Sequence, residues 1–226
     1  AGLAGWWRLW RGRVLGAYLY ESYDVGAPRV LKRRDGKFWS LYGAYPRQGG
    51  YELRPGYEGV AVSDDGLAWR RAKEAPALAV QDPDVAEWER DCVYQPWLVE
   101  HQGRFFDFYN AARGGTEQSG VAFSTDLLNW MRYPANPVVP VRAGGYDEKF
   151  ASDPKVFRDG DHWTMLYFGV GRGGGQARCP GLGVAVGEND HRSIGLRDEQ
   201  DMREVSGGRA GVVDARLAAA GVDAPA

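Results

Sequence analysis

Four acidic side chains stand shortly before, or at the start of, a predicted strand along this 226-residue chain: Asp24, Asp91, Glu148 and Asp153. If the fold gathers these carboxyl groups at one place, like charges raise one another's pKa. One carboxyl group can then stay protonated near neutral pH while another is ionised, which is what general acid and base catalysis needs. The alternative is that each acid only belongs to a turn, where Asp is common.

Three segments of similar sequence would position these acids. Each begins with Pro and an apolar strand, continues through a turn at Gly, and ends in a second strand rich in aromatic residues; they span residues 28–42, 96–109 and 154–167. Two short strands joined by a tight Gly turn are typical of a β-hairpin. The sequence therefore predicts three hairpins, each starting beside one of the acids.

A Gly-Val-Ala strand follows each hairpin, at residues 59–63, 120–124 and 183–186, with an interval of roughly 60 residues between copies. In the first two copies a Ser-x-Asp-x-x-x-Trp motif follows and ends at Trp69 and Trp130. A unit of this length with about four strands is typical of a propeller blade, which must stack on its neighbours. We therefore predict an all-β propeller, with both Trp residues packed between blades.

Composition excludes several other classes of protein. The formal net charge is −2, which gives no basic footprint for nucleic acid. No apolar run approaches the roughly 20 residues of a membrane span, and the three His residues lack metal-ligand spacing. The G-x-G-x-x-G match at residues 169–174 lacks the helix that a dinucleotide site requires, so it predicts a loop. We expect neither a metal nor a cofactor.

The repeat fades towards the C-terminus. We therefore predict a partial propeller over residues 1–196 and an irregular or poorly ordered tail over residues 197–226. No signal peptide is visible, which slightly favours a cytoplasmic location, although the chain does not begin with Met. The oligomeric state is left open.

Two stretches carry a resemblance to a known group. Residues 88–99 and 146–157 resemble consecutive blade openings in the five-bladed β-propeller glycoside hydrolases, a group that includes families 32, 43, 117 and 130. The most specific element is Asp-Pro followed by an apolar strand and a Gly turn. The resemblance covers roughly residues 14–175, so it implies an incomplete propeller of about three blades.

The resemblance implies roles for the acids, because in this group the innermost strand of each blade lines a central funnel. Asp153 matches the Asp that fixes the substrate and tunes the acid or stabilises the transition state. The corresponding first-blade Asp is replaced here by Ala27, which leaves Asp24 or Asp91 as the base. The acid Glu of the group comes from a later blade, and Glu148 is the nearest local substitute.

The implied activity is hydrolysis of a glycosidic bond in an oligo- or polysaccharide, either inverting or retaining. Residues beside the strand ends would contact the sugar: Tyr94, Gln95, Trp97, Asn110, Arg113, Glu117, Glu52 and Arg54. Three alternatives remain: a non-catalytic carbohydrate-binding propeller, which Ala27 favours, a glycoside phosphorylase, and a protein-interaction propeller.

Overall fold

The computed structural model describes residues 19–46, 55–159, 162–171 and 181–188. The predicted tail at 197–226, the candidate residues Glu52 and Arg54, and positions 172–174 of the predicted loop lie outside these ranges. Within the described ranges the elements are eleven strands and two short 3-10 turns, Leu19–Glu21 and Glu87–Glu89. The all-β prediction is confirmed.

The strands form three successive antiparallel units. The first blade is a four-stranded sheet in chain order and the second repeats it, with the fourth strand again paired to the third. Their strands are β1 (Asp24–Lys32), β2 (Phe38–Tyr45), β3 (Tyr57–Ser63) and β4 (Arg70–Arg71), then β5 (Cys92–His101), β6 (Arg104–Arg113), β7 (Thr116–Ser124) and β8 (Met131–Arg132).

The third unit has three described strands, β9 (Phe150–Asp159), β10 (His162–Val170) and β11 (Gly181–Glu188). It joins the second blade where β7 and β9 run parallel, with Glu117 opposite Phe150. All three predicted hairpins are confirmed as β1–β2, β5–β6 and β9–β10.

Each inner strand, β1, β5 or β9, bulges at the residue before its Pro. Ala27, Gln95 and Asp153 take φ values of 48°, 58° and 56°, and the strand register shifts beside each of them. Residues other than Gly seldom adopt this conformation, and bulges re-aim side chains. Since β1 contacts β5 and β5 contacts β9, the three bulges form a series along the inner edge of the blades.

In the first two Gly-Val-Ala strands, the Gly makes room for a Tyr on the neighbouring strand. A Cβ atom at Gly59 would lie 2.2 Å from the ring Cζ of Tyr42, and one at Gly120 would lie 2.7 Å from that of Tyr109. Such contacts would force the packed ring to move. The repeated Gly is therefore explained by packing.

The Ser-x-Asp-x-x-x-Trp motif closes the turn before the fourth strand. The Asp65 carboxylate accepts hydrogen bonds from the backbone N–H groups of Leu67 and Ala68, and the Trp69 indole donates to the Gly66 carbonyl at 3.1 Å. Asp126 and Trp130 repeat this arrangement in the second blade. The motif is therefore structural.

The two Trp residues of this motif pack differently. Trp69 belongs to the core of the first blade, with Tyr42 and Ala61. Trp130 packs against the cluster around Tyr109 in the second blade and against the cluster around Leu41 in the first. Packing between blades is thus confirmed for Trp130, whereas Trp69 lies within one blade.

A Tyr, an acid and an Arg form a triad in every blade, which the sequence analysis did not detect. In each triad the Tyr hydroxyl donates to the acid and the Arg forms an ion pair with it; the triads are Tyr42–Glu21–Arg71, Tyr109–Glu89–Arg132 and Tyr167–Asp147–Arg142. The acid always stands six residues before the bulge residue. This constant spacing is the sequence feature from which the triads could have been predicted.

Candidate functional site

The candidate site has an apolar floor at the inner ends of the first two blades. Tyr45 at the end of β2 packs with Cys92 and Tyr94 of β5 and with Ala112 of β6. All but Tyr94 are buried, and Tyr94 is half-buried. Three carboxyl groups, those of Asp24, Glu117 and Asp153, adjoin this floor, and we name the arrangement the three-acid site.

Asp153 is held at its bulge by two hydrogen bonds to one side chain. The Asn110 Nδ2 donates to Asp153 Oδ1 at 3.0 Å, and the Asp153 backbone N–H donates to Asn110 Oδ1 at 2.6 Å. Asn110 is fully buried. The buried Asn110 amide thus fixes both the backbone and the carboxylate of Asp153. Both residues were predicted from the sequence to belong to the site.

Glu117 lies beside Asp153 because β7 and β9 meet in parallel at this point. Its side chain is buried, and burial raises the pKa of the Glu117 carboxyl group. A hydrogen bond from the Tyr94 hydroxyl opposes this rise, while the negative charge of Asp153 adds to it. The Glu117 carboxyl group therefore keeps its proton to a higher pH than an exposed Glu does, and it lies next to a second acid, Asp153.

Asp24 approaches the same floor from the first blade. It starts β1 opposite Tyr45, and its Oδ1 accepts a hydrogen bond from the Val25 N–H at 2.9 Å. Burial raises the pKa of Tyr45, and the carboxylates of Asp24 and Asp153 are among the charges that raise it further. Both acids therefore act on one Tyr.

Asp91 and Arg113 are bound to each other at the surface. Arg113 Nη1 lies 2.9 Å from Asp91 Oδ1, the Gly114 N–H donates to Asp91 Oδ2 at 2.8 Å, and Arg113 also pairs with exposed Glu87 at 3.0 Å. These contacts tie Asp91 to the turn between β6 and β7. The Asp91 N–H also donates to the carbonyl of Ala112, a residue of the apolar floor, at 3.0 Å. The catalytic and binding roles of Asp91 and Arg113 stay predictions.

Glu148 stands two residues before β9 begins. Its backbone N–H donates to the Gly145 carbonyl at 3.3 Å, and its side chain is half-buried. The acid before it, Asp147, is the fully buried member of the third triad. The role of Glu148 as a proton donor therefore also stays a prediction.

Gln95 and Trp97 lie at and just after the bulge of β5. The Trp97 indole donates to the Val156 carbonyl of the third blade at 2.6 Å. Two cations lie over its ring, with the Arg29 guanidinium carbon 4.1 Å and the Lys155 Nζ 5.2 Å from the centroid. The ring predicted to stack on a sugar is thus already flanked by charge.

A buried acid pair lies between the first two blades, and sequence reasoning missed it. Glu58 and Asp107 are both fully buried, and the Trp97 N–H donates to Asp107 at 3.1 Å. Burial raises the pKa of Glu58 well above its ordinary value and raises the pKa of Asp107 to about 6. The negative charge of Asp107 raises the pKa of Glu58 further, so the pair shares one proton at a pH between its two deprotonation steps. The sequence feature that could have revealed the pair is Asp107, which stands between two Phe residues in a predicted strand.

This pair predicts a pH dependence of stability. The unfolded acids lose their protons near pH 4, but the folded acids keep them longer, so their stabilising contribution is complete below about pH 4 and is lost as pH rises through about 6. We expect the free energy of unfolding in urea to fall by roughly 1–3 kcal/mol over this range. Glu58→Gln should flatten this slope, while exposed Glu74→Gln should preserve it. Equal slopes in the parent and Glu58→Gln would contradict the sharing of a proton.

Two negative findings apply to the described ranges. Within them, no group of three or more His, Cys, Asp or Glu residues has a geometry that could hold a metal ion. Of the helical segments that the structure describes, none has the length and apolar character needed to cross a membrane.

Comparison with solved structures identifies the architecture. The fold is similar to Zg3597, a family 117 glycoside hydrolase from the marine bacterium Zobellia galactanivorans (TM-score 0.57, 18% identity, 74% of this chain and 52% of that chain). It is also similar to a thermostable family-43 glycoside hydrolase (TM-score 0.57, 18% identity, 83% and 59%) and to the Bombyx mori GH32 beta-fructofuranosidase BmSUC1 (TM-score 0.54, 18% identity, 73% and 34%).

No protein-family model matches the chain. At identities near 18% the similarity concerns the fold, and the chain spans about half the length of the family 117 and family-43 structures. Blade repeat, inner-strand bulges and structural neighbours agree with one another. The chain therefore has the fold of the five-bladed β-propeller glycoside hydrolases, and its described residues form about three of the five blades.

Proposed function

We propose that this chain provides the carbohydrate site of a glycoside hydrolase and that the three-acid site carries it. The observation on which the proposal depends is the fixation of Asp153 by Asn110 at a bulge with positive φ. A strained backbone costs on the order of 1–3 kcal/mol and persists where the surrounding structure enforces it, often at functional sites. The structural neighbours, which are glycoside hydrolases, support the same reading.

Each acid has a distinct role in this proposal. Glu117 donates the proton to the leaving sugar oxygen, because its burial keeps it protonated at a higher pH than an exposed Glu. Asp24, which is half-buried, is the base. Asp153, whose position is fixed, orients the sugar and keeps the pKa of Glu117 high through its charge. Two carboxyl groups in opposite protonation states are the requirement for hydrolysis.

A second candidate function is carbohydrate binding without catalysis. Ala27 favours it, because Ala27 occupies the first-blade bulge that corresponds to Asp153 in the third. A site with an acid at one bulge and a methyl group at another can still bind sugar hydroxyl groups. The two functions differ in turnover, so the test must measure hydrolysis and binding separately.

Replacing Asp153 with Asn tests the proposal, since this removes the charge and little else. We expect hydrolysis of aryl glycosides and oligosaccharides to fall about a hundredfold or more, the lower end of the range for acid–base residues. The matched control is Asp64→Asn, which alters an Asp whose side chain is 76% exposed. Equal turnover by the parent and Asp153→Asn would remove Asp153 from the mechanism. Absent turnover with Asp153-dependent sugar binding would favour the second candidate function.

A further inference from the structure

Two cations and an indole occupy matching places on the three inner strands. Arg29, Trp97 and Lys155 each stand two residues after the bulge residue of β1, β5 and β9. The Arg29 guanidinium and the Lys155 ammonium both lie against the Trp97 ring, at 4.1 and 5.2 Å from its centroid. Three separate blades therefore bring two positive charges together around one aromatic side chain.

Nothing in the described part of the chain neutralises these charges by direct pairing. Within the described ranges, no carboxylate lies at ion-pair distance from Arg29 or from Lys155. The Arg29 Nε is buried and has no hydrogen-bond partner there, which is costly for a charged donor. The ring attracts both cations, but the cations repel each other.

The pKa values of Arg29 and Lys155 also reflect positive charge that no ion pair neutralises in the described part of the chain. Arg29 and Lys155 are half-buried, and burial lowers the pKa of both side chains. The pKa of Lys155 is lowered further by Arg29, and the charge of Asp153 acts in the opposite direction. Asp153 is therefore the acid that acts on Lys155, which brings the cations next to the three-acid site.

We propose that Arg29 and Lys155 bind an oxyanion beside Trp97 and that the sugar bound at the three-acid site carries it. The inference rests on the proposed carbohydrate site and adds a substrate class, a sugar with a carboxylate, sulfate or phosphate group. A guanidinium and an ammonium on one anion form charge-assisted hydrogen bonds and relieve their mutual repulsion. A free inorganic phosphate has the same chemistry, so the test separates the two sources.

The test compares three probes by calorimetric titration at low salt: a galacturonic acid trisaccharide, a neutral galactose trisaccharide of the same linkage, and inorganic phosphate. We expect the anionic trisaccharide to bind about tenfold or more weakly to Arg29→Gln and to Lys155→Gln than to the parent. Lys37→Gln, which removes an exposed charge at a hairpin turn, should bind like the parent. Lys155→Arg should retain most of the affinity and guards against a loss that comes from misfolding.

Each outcome decides between the sources. Phosphate binding that depends on Arg29 and Lys155, with no preference for the anionic trisaccharide, would keep the oxyanion site and overturn its assignment to the sugar. Equal binding of the anionic probes by the parent and both Gln variants, or no binding of either anion, would overturn the inference. If the neutral trisaccharide then still binds and loses affinity in Asp153→Asn, the proposed function survives alone.

Discussion

Replacing Arg132 with Met is expected to lower the free energy of unfolding by about 3–5 kcal/mol, the range for removing one partner of a buried ion pair. Arg132 lies 2.5 Å from fully buried Glu89 and 2.9 and 2.8 Å from Asp82 and Asp84. It also donates to the Ala79 carbonyl at 2.9 Å. The substitution leaves Glu89 as an uncompensated buried charge. It also removes the contacts of Arg132 with Ala79, Asp82 and Asp84, which lie in the segment between the first and second blades.

Urea unfolding of the parent and the variant measures this effect. Arg90→Met is the matched control, because Arg90 pairs with Glu87 at 2.9 Å but both side chains are largely exposed, and such pairs contribute about 1 kcal/mol or less. Adding Glu89→Gln to Arg132→Met should restore part of the loss, since it removes the orphaned charge. If Arg132→Met cost no more than Arg90→Met, the buried ion pair between Arg132 and Glu89 would not stabilise the fold.

Replacing Glu117 with Gln is expected to lower kcat by about 10²–10⁴, the usual contribution of a positioned proton donor. Burial raises the pKa of Glu117, so the protonated form persists to a higher pH than that of an exposed Glu. Activity that needs this form falls as pH rises through that pKa. The variant should therefore lose the alkaline limb of the pH–rate profile along with most of its rate.

The pH–rate profiles of the parent and Glu117→Gln, measured with one aryl glycoside, distinguish this role from a structural one. Exposed Glu74→Gln serves as the control and should keep both rate and profile. Thermal unfolding of the variant must show an intact fold. A variant that turns over like the parent, or loses rate without a change of profile, would place the proton donor elsewhere.

Sequence periodicity was enough to predict the blades, because each hairpin carries its own turn and strand pattern. It also placed Asp153 directly before the Pro that follows the bulge in all three inner strands, and the role of Asp153 in the site stays a prediction. It could not establish whether Asp153 and Asp91 reach the same place, because they stand at different distances before the Pro and only the strand register shows where each side chain goes. Glu117 was predicted only as a sugar contact, since its burial arises where β7 meets β9 in parallel. That contact joins two blades and leaves no local pattern.

Glu58 and Asp107 show the same limit. They lie on neighbouring blades, and each alone looks like an isolated polar residue in a strand. Their interaction depends on how closely the blades pack, which a repeat pattern does not specify. The triads, in contrast, could have been found, because Glu21, Glu89 and Asp147 recur at one spacing before the bulge.

The bulge at Ala27 already has the backbone conformation that an acidic residue would need at this position. Its backbone already adopts φ 48°, a conformation that Asp tolerates better than Ala does. Exchange of that single side chain would bring a further acid to the inner edge of the first blade without any rearrangement of the main chain. Under the proposed function, point substitutions at such bulges would separate hydrolysis of a sugar from binding of it, while the architecture stays the same.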